Sequence, residues 1–360
     1  MNVTDWLLDS DPAIRWQVMR DLTDASGVDV AAERSRVATE GWGAQVLALQ
    51  HEDGGWGTGT YNRPLWKSTT YTLLLLRHLG VDPDAVRPAI ERVRNNVQFQ
   101  WSETDFAPFF NGETEPCING QVLALGAYFG VDGVGVERLV DRLLADQLSD
   151  GGWNCEAPEN SSVSSFSSTI MVLEGLLGYE RAGGINVDVP AARARGEEYL
   201  LSRGLFRSLR TGEVVDETFL QFSFPPRYWY DVLWALDYFR STGLSPDIRC
   251  ADAIQLVRDK QSADGTWPLE NVHEGEVHVD IDGAEPLEHA ARTEGAAVVA
   301  ERRALNFACP NAARHDAAGT PQPDRRVDTQ RLRRAQRASP ERSSRQSSTR
   351  PRKLRRERGR

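Results

Sequence analysis

Residues 50–56 read QHEDGGW, a stretch that returns as QLSDGGW at 147–153 and as QSADGTW at 261–267. Aligned on the glutamine, all three read Q-x-x-D-G-x-W. The repeated set is Gln50, Gly54 and Trp56, then Gln147, Gly151 and Trp153, then Gln261, Gly265 and Trp267. A signature that recurs after 97 and then 114 residues points to a repeat architecture before it points to any activity.

Each signature closes a helix-like stretch and leads, through a short polar loop, into a more apolar one. GAQVLALQ precedes STTYTLLLLRHLG, and VERLVDRLLADQ precedes SSFSSTIMVLEGLLGYE. The same alternation appears without the signature in RPAIERVRNNVQ and CINGQVLALGAYFG, and in ARARGEEYLL and RYWYDVLWALDYFR. Convincing strand alternation is absent, so the class is all-α. One helix of each pair is amphipathic and charged; its partner is apolar nearly all round and has to be covered on every side. Successive hairpins with charged helices outside and apolar helices inside meet that demand, which predicts an α/α toroid. Within the signature, Asp-Gly supplies the turn that ends the outer helix. The tryptophan is expected to pack under the loop and the glutamine to bond exposed backbone groups, so that each stretch clasps neighbouring hairpins together.

These boxes resemble the QW-type repeats of the terpenoid cyclase and protein prenyltransferase superfamily. DPAIRWQVMRDL, STTYTLLLLRHLG, INGQVLALGAYFG, DGGWNCE, FSFPPRYWYDVL and DGTWPLENVH together resemble a bacterial squalene cyclase-like group, over about residues 3 to 282. The resemblance implies an α/α toroid with a central apolar cavity that accepts an isoprenoid-like small molecule. It implies activity weakly, because the boxes are structural.

A 360-residue chain with 40% hydrophobic residues can bury a sizeable core. Its formal charge of −10 is uneven: residues 301–360 carry 18 Lys/Arg against 6 Asp/Glu, leaving about −22 on the first 300 residues. So acidic a body is a poor surface for nucleic acid. Cys117, Cys155, Cys250 and Cys309 are far apart, without a C-x-x-C pair, which fits a reducing compartment. The acidic start MNVTDWLLDSDP does not read as a signal peptide, and no apolar run approaches a membrane span, so a cytoplasmic location is expected. Nothing in the sequence sets the oligomeric state.

The division expected is a toroid over 1–282 and a basic, low-complexity segment over 283–360. The resemblance implies one more apolar helix after residue 282, of the kind PSRWNTLRALRVLRWW, where this chain reads AEPLEHAARTEGAAVVAE. A one-nucleotide change of frame in GC-rich codons is compatible with that replacement, which suggests a frame-shifted, disordered end and an inactive copy as one outcome. The rival is a basic arm for nucleic acid or anionic lipid, although its aromatic content between 301 and 360 is Phe307 alone.

The motifs that define the family's chemistry are missing. The nearest approach to the D-x-D-D proton donor of class II terpene cyclases is Asp280-Ile281-Asp282, and D-D-x-x-D does not occur. Protein prenyltransferases hold zinc with Asp, Cys and His; Cys155 has no such partners in sequence, and no metal or cofactor is expected. His273 and His278 read as solvent-facing loop residues and His78 as a helix-end cation. The acids that enter apolar helices are better candidates. Glu113, Glu115 and Asp216 are the catalytic candidates for acid-initiated isomerisation or cyclisation. Phe224, Tyr228, Trp229, Tyr230 and Asp231 are candidates to line the substrate site, with ring faces steadying a cation. Glu174, inside IMVLEGLLGY, is the one acid expected to face an interior, where it is either raised in pKa or paired. The plainer reading is that the acids complement helix dipoles and the rings fill the core. Two other functions stay open: a non-catalytic polyprenyl carrier or scaffold, and a carbohydrate-active (α/α) barrel using two carboxylates.

Overall fold

The computed structural model describes residues 3–100, 104–113, 115–263 and 265–281. Asp264, Asp282 and all of 283–360 lie outside the described residues, and with them the frame-shift reading and the basic-arm alternative. The helices are α1 (Val3–Leu8), α2 (Pro12–Leu22), α3 (Gly27–Arg36), α4 (Gly41–Ala48), α5 (Thr69–Leu79) and α6 (Arg87–Asn96). They continue with α7 (Pro116–Phe129), α8 (Val134–Ala145), α9 (Phe166–Arg181), α10 (Val189–Leu201), α11 (Val232–Ser241) and α12 (Ala251–Asp259). The fold is all-α. No helix among the described residues is long and apolar enough to cross a membrane.

Two kinds of helix alternate along the chain. In α5 every residue is buried except Arg77 and His78, and α7, α9 and α11 are buried over most of their lengths. Their intervening partners bury one stripe: Ala89, Ile90 and Val93 in α6, and Ala253, Ile254 and Val257 in α12. That spacing follows the 3.6-residue period of an amphipathic helix. Gly80 and Gly130, both in the left-handed region, end α5 and α7.

The three signatures have one geometry. Trp56 Nε1 donates to Val46 O at 2.9 Å, Trp153 Nε1 to Leu143 O at 2.7 Å and Trp267 Nε1 to Val257 O at 2.7 Å. Each indole thus satisfies a carbonyl near the end of the preceding helix, and all three tryptophans are fully buried. Gln50 Nε2 donates to Gly54 O at 2.8 Å and to Ala89 O of α6 at 2.9 Å. Gln147 Nε2 repeats this with Gly151 O at 2.7 Å and Ala192 O of α10 at 2.8 Å. The backbone N–H groups of Trp56 and Trp153 donate to Thr69 and Thr169, on the apolar helices that follow. The first two signatures therefore bind three helices apiece, as a clasp must. Gly54, Gly151 and Gly265 all have φ between 87° and 99°, the region where a side chain is strained.

One short element leaves no trace in the sequence, and one expectation needs correction. A short antiparallel hairpin, β1 (Gln98–Gln100) with β2 (Phe106–Pro108), sets Phe99 opposite Ala107; three-residue strands are too short to leave an alternating pattern in sequence. The cysteines are not all isolated either. Cys117, in the first turn of α7, and Cys155, just after the second signature, form a disulfide with Cα atoms 6.2 Å apart. Sequence separation hid a pairing that the packing of α7 against α9 creates.

That packing is unusually close. A Cβ on Gly175 of α9 would fall 2.5 Å from Gly120 O of α7, and one on Gly120 would fall 2.6 Å from Met171 O. Trp42 and Phe224 touch both of the apolar clusters that make up the core.

Candidate active site

The two exceptions on α5, Arg77 and His78, face a cavity of about 400 Å³. Glu174 of α9, Phe224, Asp231 and Trp234 of α11 help to line it. Arg77 Nη1 donates to Glu174 Oε2 at 2.9 Å, so the pair is the inward salt bridge that was one of the two readings of Glu174. Burial by itself would raise the Glu174 pKa; the charge and hydrogen bond of Arg77, helped by Trp234, outweigh burial and hold it below the usual carboxylate range. Arg77 is kept charged in the same way, Glu174 outweighing the burial that would lower its pKa.

Asp231 stands on the other side of Trp234. Its Oδ1 caps α11 by accepting the backbone N–H of Trp234 at 2.8 Å, and its Oδ2 accepts from Ser223 Oγ at 2.8 Å. The Trp234 indole donates to Glu174 Oε1 at 3.1 Å, so one residue touches both carboxylates. Asp231 is 2% exposed, and burial pushes its pKa up to about 6 against the opposing hydrogen bonds. No arginine pairs with it among the hydrogen bonds and ion pairs described. His78 shifts the other way: burial, then the neighbouring Arg77 charge, push it down to about 4, and its Nδ1 is buried without a partner. The expected helix-end cation is thus a neutral imidazole in the cavity wall, because desolvation outweighs the favourable helix terminus.

A neighbouring hollow of about 420 Å³ shares Arg77 and Glu174 with the first, so the ion pair stands where the two adjoin. Arg34 and Tyr128 also border both; Arg34 donates to Gly80 O at 2.8 Å and to Tyr128 Oη at 3.0 Å. The lining is mixed rather than uniformly apolar. The guanidinium groups of Arg20 and Arg34 lie 4.6 and 5.2 Å from the ring centre of Trp16, another lining residue.

The sequence candidates divide accordingly. Glu174, Phe224 and Asp231 come together in the cavity. Tyr230 is buried elsewhere, its hydroxyl donating to Leu205 O at 2.6 Å. Tyr228 and Trp229 are more than a third exposed, within an aromatic group that includes Trp66 and His273. Glu113 and Glu115 lie in the loop before α7 and do not line the cavity, and Asp216 is exposed, capping a short turn through Thr218 N at 2.9 Å. His273 is buried against Trp229 with ring centres 4.3 Å apart, and His278 Nε2 lies 3.1 Å from both Lys67 O and Thr72 Oγ1. Neither is the solvent-facing residue expected. Sequence reasoning misses Arg77 and Trp234, since each looks like an ordinary member of an apolar helix, and reads His78 only as a helix-end residue.

Glu115, Cys117 and Cys155 bring potential metal-ligand atoms within 4.8 Å of one another. With the two sulfurs bonded to each other neither is a free thiolate, so the set does not fit an Asp, Cys, His zinc site.

No protein-family model matches the chain, and no curated protein matches it. Solved structures similar to it include the following two. A protein from Actinoplanes is 19% identical, over 84% of this chain and 97% of that one, with a TM-score of 0.40. The type II terpene cyclase MstE from Scytonema, in its apo form, is 17% identical, over 84% of this chain and 87% of that one, with a TM-score of 0.39.

Proposed function

We propose that this chain is a terpenoid cyclase-like α/α toroid that carries out acid-initiated isomerisation or cyclisation of an isoprenoid bearing a polar end. Asp231 is the proton donor, in place of Glu113, Glu115 or Asp216. The supporting observation is the divergence of two carboxylates in one cavity: Asp231 pushed up to about 6 without an arginine partner, and Glu174 held ionised by Arg77. Environments that separate two acids in this way assign one to proton donation and the other to steadying positive charge. Neutral His78 is suited to accept the proton that ends the reaction. Phe224 and the Trp234 ring supply faces for a cationic intermediate, and Arg77 with Arg34 suits the polar end.

The test is incubation of the full chain with linear polyprenols and squalene-type polyenes in deuterated buffer, with analysis of products for one incorporated deuterium. Asp231→Asn is the decisive variant, because asparagine caps a helix as well as aspartate does but has no acidic proton. Turnover should fall 10²- to 10⁴-fold, and undiminished turnover removes Asp231 from the mechanism. A second reading, two-carboxylate chemistry on a carbohydrate, is favoured by the charged lining of the cavity. Oligosaccharides in the same assay distinguish it.

A further inference from the structure

We infer that the Cys117–Cys155 pair is a redox-active couple that exchanges with a low-molecular-weight thiol, its reduced form stabilised by donors already aimed at Cys155 Sγ. Two hydrogen-bond donors converge on that sulfur. The backbone N–H of Cys117, in the first turn of the 14-residue α7, points at it from 3.4 Å. Ser168 Oγ lies 3.2 Å away. That hydroxyl accepts from Ser165 Oγ at 2.9 Å and from Cys155 N at 3.2 Å, which leaves its own proton for the sulfur. Ser168 itself belongs to the first turn of α9, so Cys155 Sγ sits at the positive ends of two long helices. A thiolate there is favoured before any external thiol arrives.

The two ends of the bond differ. Cys117 Sγ has Glu115 Oε2 at 3.6 Å, a carboxylate that disfavours negative charge on that sulfur. An incoming thiolate therefore attacks Cys117 Sγ. A new sulfur–sulfur bond forms there, the Cys117–Cys155 bond breaks, and its electron pair leaves on Cys155, the better leaving group. A second thiolate attacks the external sulfur of this mixed disulfide, releasing Cys117 and a small-molecule disulfide. Two thiols are oxidised, the protein pair gains two electrons, and the two thiol protons pass to the protein thiols or to buffer. Both cysteines are half-buried rather than sealed, and Cys155 borders a groove of about 650 Å³ together with Glu115 and Pro116, the residues just before Cys117.

The experiment equilibrates the full chain with glutathione buffers of varied oxidised-to-reduced ratio, alkylates it under denaturing conditions and maps the cysteine peptides by mass spectrometry. The 117–155 linkage should rise and fall as a two-electron couple across those buffers. Ser168→Ala should slow reduction by about tenfold, the worth of one hydrogen bond to a charged sulfur. In Cys155→Ser, the glutathione adduct should map to Cys117. A linkage present at every ratio, or at none, overturns the inference. So does a reduced pair that takes up one equivalent of zinc and then resists oxidation. Because the titration is read on the unsubstituted chain, the result does not depend on how well either variant folds.

Discussion

At the scale of single residues the cavity is organised by charge held out of bulk water. Arg77 and Glu174 have side chains only 21% and 17% exposed, and that remaining surface is turned to the cavity. Removing one member of such a pair leaves an uncompensated charge, which costs about 3–5 kcal/mol, whereas removing both is often close to neutral. Arg77→Met should therefore destabilise the chain by that amount in urea titrations, and Arg77→Met with Glu174→Gln should recover most of it. A double variant no more stable than the single one would show that the pair is not coupled. Half of this pair was legible in sequence. Glu174 is the only acid in IMVLEGLLGY and has to face inward; Arg77 closes LLLLRHLG, where a cation at a helix end needs no further explanation. Asp231 was legible as a site residue but not as the acid, because its raised pKa comes from packing and not from its neighbours in the chain.

At the scale of elements, two glycines on adjacent helices test how tightly the apolar helices are packed. Gly126 of α7 has no atom nearer than 3.8 Å to an added Cβ, so Gly126→Ala gains helix propensity without a clash and should stabilise by about 0.5–1 kcal/mol. Gly175 of α9 has Gly120 O at 2.5 Å from the same position; backbone cannot swing away, and Gly175→Ala should lose about 1–3 kcal/mol despite the same gain in propensity. Thermal melts of the two variants should move in opposite directions, and a shared direction would mean that α7 and α9 are not in this register. The alternation of charged and apolar helices was readable from periodicity, because burial on one stripe or all round leaves its mark on every turn. The signatures were readable as clasps for the same reason: Gln, Gly and Trp each answer a local backbone need that repeats. The spacing between α7 and α9, and the meeting of Cys117 with Cys155 that follows from it, depends on contacts between segments about forty residues apart. No local pattern carries that information.

At the scale of the whole molecule, buried groups whose pKa values are displaced shape how stability depends on pH. Asp231 has a folded pKa of about 6 against an ordinary 3.8, so the folded state binds its proton more tightly than the unfolded chain does. Its contribution is fully present below 3.8 and is lost as pH rises through 6, a difference of about 3 kcal/mol. His78 and His273, each lowered from 6.5 to about 4, act with the opposite sign. The unfolded chain takes up their protons first, so the stability they allow is present above 6.5 and is lost as pH falls through 4. Between 4 and 6 the slopes oppose, and because the lowered histidines, His78, His273 and His278, outnumber the raised carboxyls, Asp231 and Glu115, the unsubstituted chain should gain stability as pH rises through that range. Asp231→Asn removes its share of the opposing slope. Its stability relative to the parent should be nearly unchanged near pH 3.5, grow through pH 4 to 6, and level off above 6 at a gain approaching 3 kcal/mol, less any loss in the cap. Paired melts of the two proteins from pH 3.5 to 8 measure that difference directly. A constant offset across the range would mean that Asp231 ionises at an ordinary pH, and with that its assignment as the proton donor would fail too.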